Sequence, residues 1–249
     1  MQVILCQEHD PRWDEYVLAH PGETFFHQWK WRDIISASFG YEPLYLCAED
    51  KGQIQGILPL FLVRSLIFGR SLVAMPLAVY GGVLATSTAA EAILLEKAIS
   101  LGTQYGAKYL ELRGNPHLPP GMSPQSAGFC TTAKQKDLYV TFSGEIDPVD
   151  DVNLSRIPRK QRRMVRQGEK HGLRFGLDNS RLREFYQIYA ASVRNLGTPV
   201  FGYLYFENLV ETFGDRCKVF LVDFQGKGVA GVLVFFYKDQ VLPYYGGAL

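Results

Sequence analysis

Residues 39–63 have the sequence FGYEPLYLCAEDKGQIQGILPLFLV, in which two runs of apolar residues flank Gly52. Residues 213–236, FGDRCKVFLVDFQGKGVAGVLVFF, repeat this arrangement at a spacing of 174 residues, with Gly226 at the position of Gly52. Apolar runs separated by turn residues predict an antiparallel β-hairpin. Two such hairpins at one spacing indicate a duplication, so we expect two related lobes in one chain.

The correspondence between the two hairpins continues past their first turns. Residues 231–233 correspond to residues 56–58 at a spacing of 175 residues, one more than the spacing of 174 before the turn. Residues 243–247 (PYYGG) then correspond to residues 79–82 (VYGG). This alignment predicts that the second hairpin is the shorter one.

The first hairpin is followed by a helical pattern over residues 89–105 and by an apolar strand over residues 109–113. The second hairpin is followed directly by Leu249, the last residue of the sequence. A sheet without a covering helix would expose apolar surface. We therefore expect the second lobe to be truncated.

These patterns predict an α/β (α+β) fold with mixed sheets flanked by helices. The polar, acidic residues 143–153 indicate a boundary between one lobe over residues 1–150 and another over residues 151–249. Further helices are predicted over residues 11–19, 29–39 and 159–171, and further strands over residues 3–6, 43–48, 54–73, 76–84 and 136–142.

The composition restricts the class of protein. The chain has 249 residues, 47% of them hydrophobic, and a net charge of +1, so anion binding would need a local patch. Neither a signal-peptide core nor an apolar run of about 20 residues is present, which predicts a cytoplasmic protein without a transmembrane segment. The four cysteines form no CxxC pair and the five histidines show no ligand spacing, so we expect no metal site.

A local basic patch lies between Leu154 and Arg174, where eight basic side chains and one acidic one give a net charge of +7. Pro158 suits the first turn of a helix and Gly172 suits its C-terminal cap. At about 100° per residue, one face of this helix is basic. Its members are Arg159, Arg162, Arg163, Arg166 and Lys170. We expect the opposite face, which includes Met164, Val165 and Gly168, to pack on the sheet.

The basic face favours an anionic ligand over a merely solvated surface. Like charges four residues apart on a helix cost a few tenths of a kcal/mol per pair, and an anion would relieve that repulsion. Arginine also binds phosphate and carboxylate in bidentate fashion. Phosphate on a nucleotide sugar or an RNA is therefore the first expectation. Duplex DNA is disfavoured, because no second helix-turn-helix element accompanies this helix.

Several short strings, in this order and spacing, resemble the FemAB-like proteins of the PEP-CTERM/exosortase systems. They are residues 27–29 (HQW), 40–43 (GYEP), 56–60 (GILPL), 68–72 (FGRSL), 80–82 (YGG), 157–166 (IPRKQRRMVR), 196–200 (LGTPV) and 243–247 (PYYGG). The resemblance implies tandem lobes of the GNAT acyltransferase fold. It also implies aminoacyl or acyl transfer to an amine of a cell-envelope or exopolysaccharide precursor. The donor would be aminoacyl-tRNA or acyl-CoA.

The resemblance also implies that Arg159, Arg162, Arg163 and Arg166 bind the diphosphate of a phosphorylated sugar-nucleotide or glycan precursor. No glycine-rich pyrophosphate loop opens a helix in the sequence, so acyl-CoA is the less supported donor. We expect no tightly bound cofactor. A non-catalytic GNAT-fold module that binds an anionic glycan or RNA is the competing hypothesis.

Acyl transfer to an amine needs alignment and a donor to the developing oxyanion. The turn at residues 244–247 is the best candidate for substrate contact, with Tyr244 and Tyr245 as hydroxyl donors and Gly246 and Gly247 supplying backbone amides. A β-bulge with core aromatic residues is an equal alternative there. Glu111, at a predicted strand end, is a further catalytic candidate.

Overall fold

A computed structural model describes residues 1–114 and 140–249, and these two stretches belong to two compact units. The division at residues 150/151 stays a prediction. The strand expected over residues 136–142 lies largely outside the described residues, and residues 140–142 are in no strand. Within the described stretches, every helix is too short or too polar to traverse a lipid bilayer.

The first unit is built on one mixed sheet. Its elements are β1 (Gln2–Cys6), α1 (Pro11–Ala19), a 3₁₀ turn (Phe25–His27), α2 (Lys30–Phe39), β2 (Glu42–Asp50), β3 (Gln53–Ser65), β4 (Gly69–Ala74), β5 (Leu84–Ala85), α3 (Thr88–Gln104) and β6 (Leu110–Glu111). The strand order is β1-β2-β3-β4-β6, with β5 also paired to β3. All of these pairs are antiparallel except β4 with β6.

The second unit is built on a four-stranded antiparallel sheet in the order β10-β9-β8-β7. Its elements are α4 (Asp150–Arg156), α5 (Arg159–Lys170), β7 (Arg174–Leu177), a 3₁₀ turn (Asn179–Arg181), α6 (Leu182–Asn195), α7 (Tyr203–Phe213), a 3₁₀ turn (Gly214–Arg216), β8 (Cys217–Phe224), β9 (Lys227–Tyr237) and β10 (Gln240–Ala248). A strand, two helices and a hairpin therefore follow one another in both units.

The two predicted hairpins, β2–β3 and β8–β9, share their turn geometry. The first turns at Lys51 (φ 50°) and Gly52 (φ 81°), and the second at Gln225 (φ 51°) and Gly226 (φ 77°). Positive φ at both central residues is the signature of the type I′ turn, whose twist matches that of the flanking strands. The repeated hairpin predicted from the sequence is therefore present in the backbone.

The strand pairing corrects the predicted alignment. A bulge separates Ala48 from Glu49 in the first hairpin and Val222 from Asp223 in the second. Beyond it, Ala48 pairs with Gly56 and Val222 pairs with Ala230, so the spacing stays at 174 residues throughout. The one-residue shift expected after the turn is wrong, because both hairpins carry the same bulge.

The predicted strand over residues 76–84 is also wrong, except at its end. Residues 75–83 leave the sheet, and only β5 returns to pair with β3. Met75 and Leu77 have positive φ values of 44° and 68° there, a conformation that opposes strand formation. In the second unit β10 stays in the sheet past a single bulge. Gly247 pairs with Gly231, just as Leu84 pairs with Ile57 in the first unit. Gly247 and Leu84 therefore occupy equivalent positions.

Helix α3 covers one face of the first sheet, and α1 with α2 cover the other. Gly56 lies so close to α3 that a Cβ there would be 2.9 Å from Leu94 Cδ1. On the opposite face Trp13 stacks on Tyr45 at 5.0 Å between ring centroids. Trp29 and Trp31 are both buried, so the aromatic residues around α2 anchor the core.

In the second unit α6 and α7 pack on one face of the sheet, the face of Val219, Leu221 and Phe235, which are all buried. Phe220 and Val232 point to the other face and are half-buried. The second sheet therefore has one fully covered face in the part of the chain described.

The loop over residues 75–83 is held by a buried histidine. His27 is fully buried and its Nε2 donates to the carbonyl oxygen of Gly82 at 3.1 Å. Its Nδ1 accepts from the backbone N–H of Thr24 at 3.1 Å. This arrangement requires the neutral imidazole, and burial lowers the pKa of His27 from 6.5 to about 4.

We expect the first unit to lose stability as the pH falls from 6.5 to about 4, the interval between the ordinary and the folded pKa of His27. The unfolded chain binds a proton in this interval and the folded chain does not, so protonation favours unfolding, by on the order of 3 kcal/mol at most. Urea unfolding at several pH values, followed by tryptophan fluorescence, measures this, because all three tryptophans lie in residues 13–31. In His27→Gln, the free energy of unfolding should depend less on pH over this interval, whereas His171→Gln should leave that dependence unchanged. An unchanged slope in His27→Gln would contradict the assignment.

Candidate functional site

The basic helix forms where the sequence places it. α5 begins after Pro158, whose carbonyl oxygen accepts from Arg162 N at 3.1 Å, and ends at Lys170, with His171 as its C-terminal cap. Gly172 then takes the left-handed conformation (φ 84°), and Leu173 N donates back to Gly168 O at 3.0 Å. This is the Schellman type of helix end, which glycine allows without strain.

The basic face of α5 is directed to solvent. Arg159, Arg163, Arg166 and Lys170 are exposed and Arg162 is half-buried. Within residues 1–114 and 140–249, no carboxylate forms an ion pair with any of these five side chains. The face therefore carries five positive charges within about three turns, and none of them has an ion-pair partner among the described residues.

The other face of α5 does not pack as predicted. None of its residues is buried, and Met164 and Val165 are 62% and 49% exposed. Gly168 approaches Leu173, where a Cβ would be 3.0 Å from Cδ1. The expectation that this face packs on the sheet is wrong, because Met164 and Val165 face solvent and Gly168 lies against Leu173, in the turn that ends the same helix.

Tyr245 lies in the core of the second unit. It follows a bulge in β10, is 7% exposed, and its hydroxyl oxygen lies 2.9 Å from that of Tyr205. Burial raises the pKa of Tyr245 well above its usual value. Tyr244 is half-buried, with its ring against Phe235 and Tyr245. This placement favours packing for Tyr245, and catalytic roles for both tyrosines stay predictions.

The two glycines of β10 have different surroundings. Gly247 faces α6, where a Cβ would lie 2.8 Å from Ser192 Cβ and 3.0 Å from Tyr189 Cα. Gly246 is exposed, and a Cβ there would meet no atom closer than 3.4 Å. The helix therefore approaches the strand at Gly247, so this glycine is required for packing.

The backbone of β10 offers amides along the edge of the sheet. Leu249 N donates to Val229 O at 2.9 Å. Because bonded residues alternate along an antiparallel pair, Gly247 also bonds to β9, while the N–H groups of Gly246 and Ala248 point away from it. In the described residues β10 has no strand on that side. Ala248 is missing from the predicted set, and the two-residue alternation of a strand is the signal that identifies it.

Glu111 lies in the first unit, at the end of β6. Its Oε1 pairs with Arg113 at 2.8 Å, and Arg113 Nη1 donates to the carbonyl oxygen of Ala78 at 2.9 Å. The carboxylate thus anchors an arginine that holds the loop over residues 75–83. Its catalytic role stays a prediction.

The candidate residues of the second unit form two groups. α5 leads into β7, which is one edge of the four-stranded sheet, whereas Gly246 and Gly247 lie on β10, the opposite edge. Three strand spacings of about 4.8 Å separate these edges. The basic face of α5 and the amide-bearing edge of β10 are therefore separate features of one unit.

Metal ligands are not grouped in the described ranges, where no three histidine, cysteine or acidic side chains lie together. Cys6, Cys47 and Cys217 are free thiols. Cys130 and His117 lie outside the described residues.

A known protein family resembles this chain in sequence, and a solved structure resembles it in fold. Residues 155–249, which include α5 and β10, match the family described as "Acetyltransferase (GNAT) domain". No curated protein matches the sequence. Among solved structures, "Crystal structure of FemX" is similar at a TM-score of 0.69 and 15% identity, covering 100% of this chain and 80% of that one. The chain therefore has a FemX-like mixed α+β fold, with two sheets flanked by helices, and a GNAT-type sequence in its second unit.

Proposed function

We propose that the protein is a FemAB-like N-acyltransferase that acts on an amine of a phosphorylated cell-envelope or exopolysaccharide precursor in the cytoplasm. The observation that carries this proposal is the basic face of α5, which has no ion-pair partner among the described residues and lies inside the segment that matches the GNAT domain. A transferase whose substrate is joined to a diphosphate needs such a face. Without a bound anion, the like charges four residues apart on this helix would repel one another at a cost of a few tenths of a kcal/mol per pair.

The basic face binds the diphosphate of the acceptor. Arg159, Arg163 and Arg166 each offer a planar fork of N–H donors that matches two phosphate oxygens. Arg162 and Lys170 flank them on the same face. The phosphate contacts hold the precursor, and its amine is the reacting group.

The edge of β10 is the proposed place of reaction. The amine nitrogen attacks the carbonyl carbon of the donor, a C–N bond forms, and the ester or thioester bond to the leaving group breaks. The outward N–H groups of Gly246 and Ala248 would stabilise the developing oxyanion. The amine loses one proton, which the departing alkoxide or thiolate takes up. Tyr244 is the proposed hydroxyl donor at this edge.

Aminoacyl-tRNA is the proposed donor, with acyl-CoA as the alternative. The protein is similar to FemX in fold, and its sequence lacks a glycine-rich loop that opens a helix and cradles a pyrophosphate. A basic helix also suits the phosphates of tRNA. The PEP-CTERM association stays part of this proposal, carried by the sequence strings alone.

Two assays on the same set of compounds can identify the donor and the acceptor. Thermal shift with uridine-diphosphate N-acetylglucosamine, unfractionated tRNA and acetyl-CoA reports binding. Charging the tRNA with radiolabelled amino acids and adding amine-bearing nucleotide-sugar precursors reports transfer. We expect stabilisation by the nucleotide sugar and by tRNA, and label in the precursor. Stabilisation by acetyl-CoA alone would overturn the donor assignment.

A non-catalytic module that binds an anionic glycan or RNA is the second candidate. The burial of Tyr245 favours it, because one of the two predicted hydroxyl donors belongs to the core. Such a module would bind the same anions but would leave no label in the precursor with any charged tRNA or acyl-CoA.

A further inference from the structure

The β3–β4 hairpin ends in three consecutive apolar residues that face solvent. Leu66, Ile67 and Phe68 are 108%, 83% and 75% exposed. The strands are paired up to Ser65 and Gly69, so these three residues are the whole connection. Exposed apolar residues occur singly on most protein surfaces. Three in succession at the end of a hairpin are a distinct feature.

The backbone of this tip is well defined. Ser65 Oγ accepts from Ile67 N at 3.3 Å and from Phe68 N at 3.1 Å. Gly69 closes the loop in the left-handed conformation (φ 83°), as three-residue hairpin loops require. The tip is therefore held in a form that presents its side chains outward.

Basic side chains surround the base of the tip. Arg64 and Arg70 face each other across the two strands. Lys108 lies beside the turn, since a Cβ on Gly69 would be 3.2 Å from Lys108 Nζ. Arg64 pairs with Glu42, and Arg70 donates to the carbonyl oxygen of Tyr105 at 3.0 Å. The tip is thus apolar at its end and basic where it joins the sheet.

We propose that Leu66, Ile67 and Phe68 insert into the interfacial region of a membrane that contains anionic phospholipids. The apolar side chains enter the acyl boundary, and Arg70 and Lys108 meet the phosphates of the headgroups, as in other interfacial anchors. A second copy of the chain fits less well. A stable dimer buries about 800 Å² per partner, more than a three-residue convex tip provides. This proposal is independent of the proposed transfer reaction.

Sedimentation with vesicles tests the insertion. The intact protein is mixed with vesicles of phosphatidylglycerol and phosphatidylcholine, or of phosphatidylcholine alone. We expect binding to the anionic vesicles, weakened by salt, and a loss of about tenfold or more in Leu66→Ser/Ile67→Ser/Phe68→Ser. The matched control is Ile99→Ser/Leu196→Ser/Leu204→Ser, three exposed apolar residues elsewhere, which should bind as the unaltered protein does. Because the tip is fully exposed, its variant should keep the unaltered melting temperature.

Fluorescence gives a second, local readout. In Phe68→Trp, anionic vesicles should shift the emission of the new tryptophan to shorter wavelength, after subtraction of the unaltered protein. Absence of vesicle binding, or equal binding by the tip variant and the control, would overturn the proposal. A change of oligomeric state in the tip variant without vesicle binding would assign the tip to a second copy instead.

Discussion

Replacing Arg159, Arg163 and Arg166 by glutamine is expected to weaken the binding of a uridine-diphosphate sugar and of tRNA about a hundredfold or more. Hydrogen bonds to charged groups contribute about 1.5–3 kcal/mol each. The substitutions remove three guanidinium groups that donate such bonds, so the loss of binding free energy should be large. Arg162 and Lys170 remain and keep a residual attraction. Isothermal calorimetry with each anion at fixed salt measures the change.

The same variant should keep or gain stability. Within α5, Arg159 with Arg163, Arg162 with Arg166, and Arg166 with Lys170 are like-charge pairs, and the substitutions remove all three repulsions, worth a few tenths of a kcal/mol each. The matched control is Lys51→Gln/Arg194→Gln/Lys227→Gln, which removes three exposed charges from other elements. Equal loss of binding in the control would mean that overall charge, not this face, attracts the anion. Unchanged binding in the α5 variant would remove the helix from the site.

Gly247→Ala is expected to lower the free energy of unfolding of the second unit by about 1–3 kcal/mol, because an extra methyl group must push α6 from β10. The Cβ would lie 2.8 Å from Ser192 Cβ and 3.0 Å from the backbone of Tyr189. Gly246→Ala, one residue away, is the control, since its Cβ meets nothing closer than 3.4 Å. We expect that variant to stay within about 0.5 kcal/mol of the unaltered protein.

Urea unfolding followed by circular dichroism measures the difference between the two glycine variants. Tryptophan fluorescence serves as an internal reference, because every tryptophan belongs to the first unit. Equal destabilisation by both substitutions would contradict the assignment of Gly247 to packing. Loss of transfer activity in Gly246→Ala at unchanged stability would support the amide-bearing edge of β10.

Features governed by local chemistry were predictable from the sequence. Gly172 ends α5 because a helix end needs a left-handed residue. Gly52 and Gly226 mark the turns of the two hairpins for a similar reason. The basic face follows from a spacing of three and four residues. Each of these features depends on residues that are close together in the sequence, so the amino-acid pattern is enough to predict it.

Features governed by tertiary packing were not predictable. Residues 75–83 include apolar, β-branched and aromatic residues suited to a strand, but Met75 and Leu77 adopt left-handed conformations that their surroundings impose. Gly247 is exchangeable with Gly246 in the sequence, and its role depends on α6, some 55 residues away along the chain. The burial of Tyr245 depends likewise on Tyr205.

The type I′ turns have a consequence for how the chain folds. Because β2–β3 and β8–β9 share a bulge and a pairing register, strands of one unit could pair with strands of the other during folding, a known failure of repeated domains. A hairpin closed by two residues forms in about 1–10 μs, whereas an exchanged pairing must close a loop of more than 100 residues. The tight turns therefore give the correct pairing a kinetic advantage, and loosening either one would favour exchanged, aggregation-prone chains.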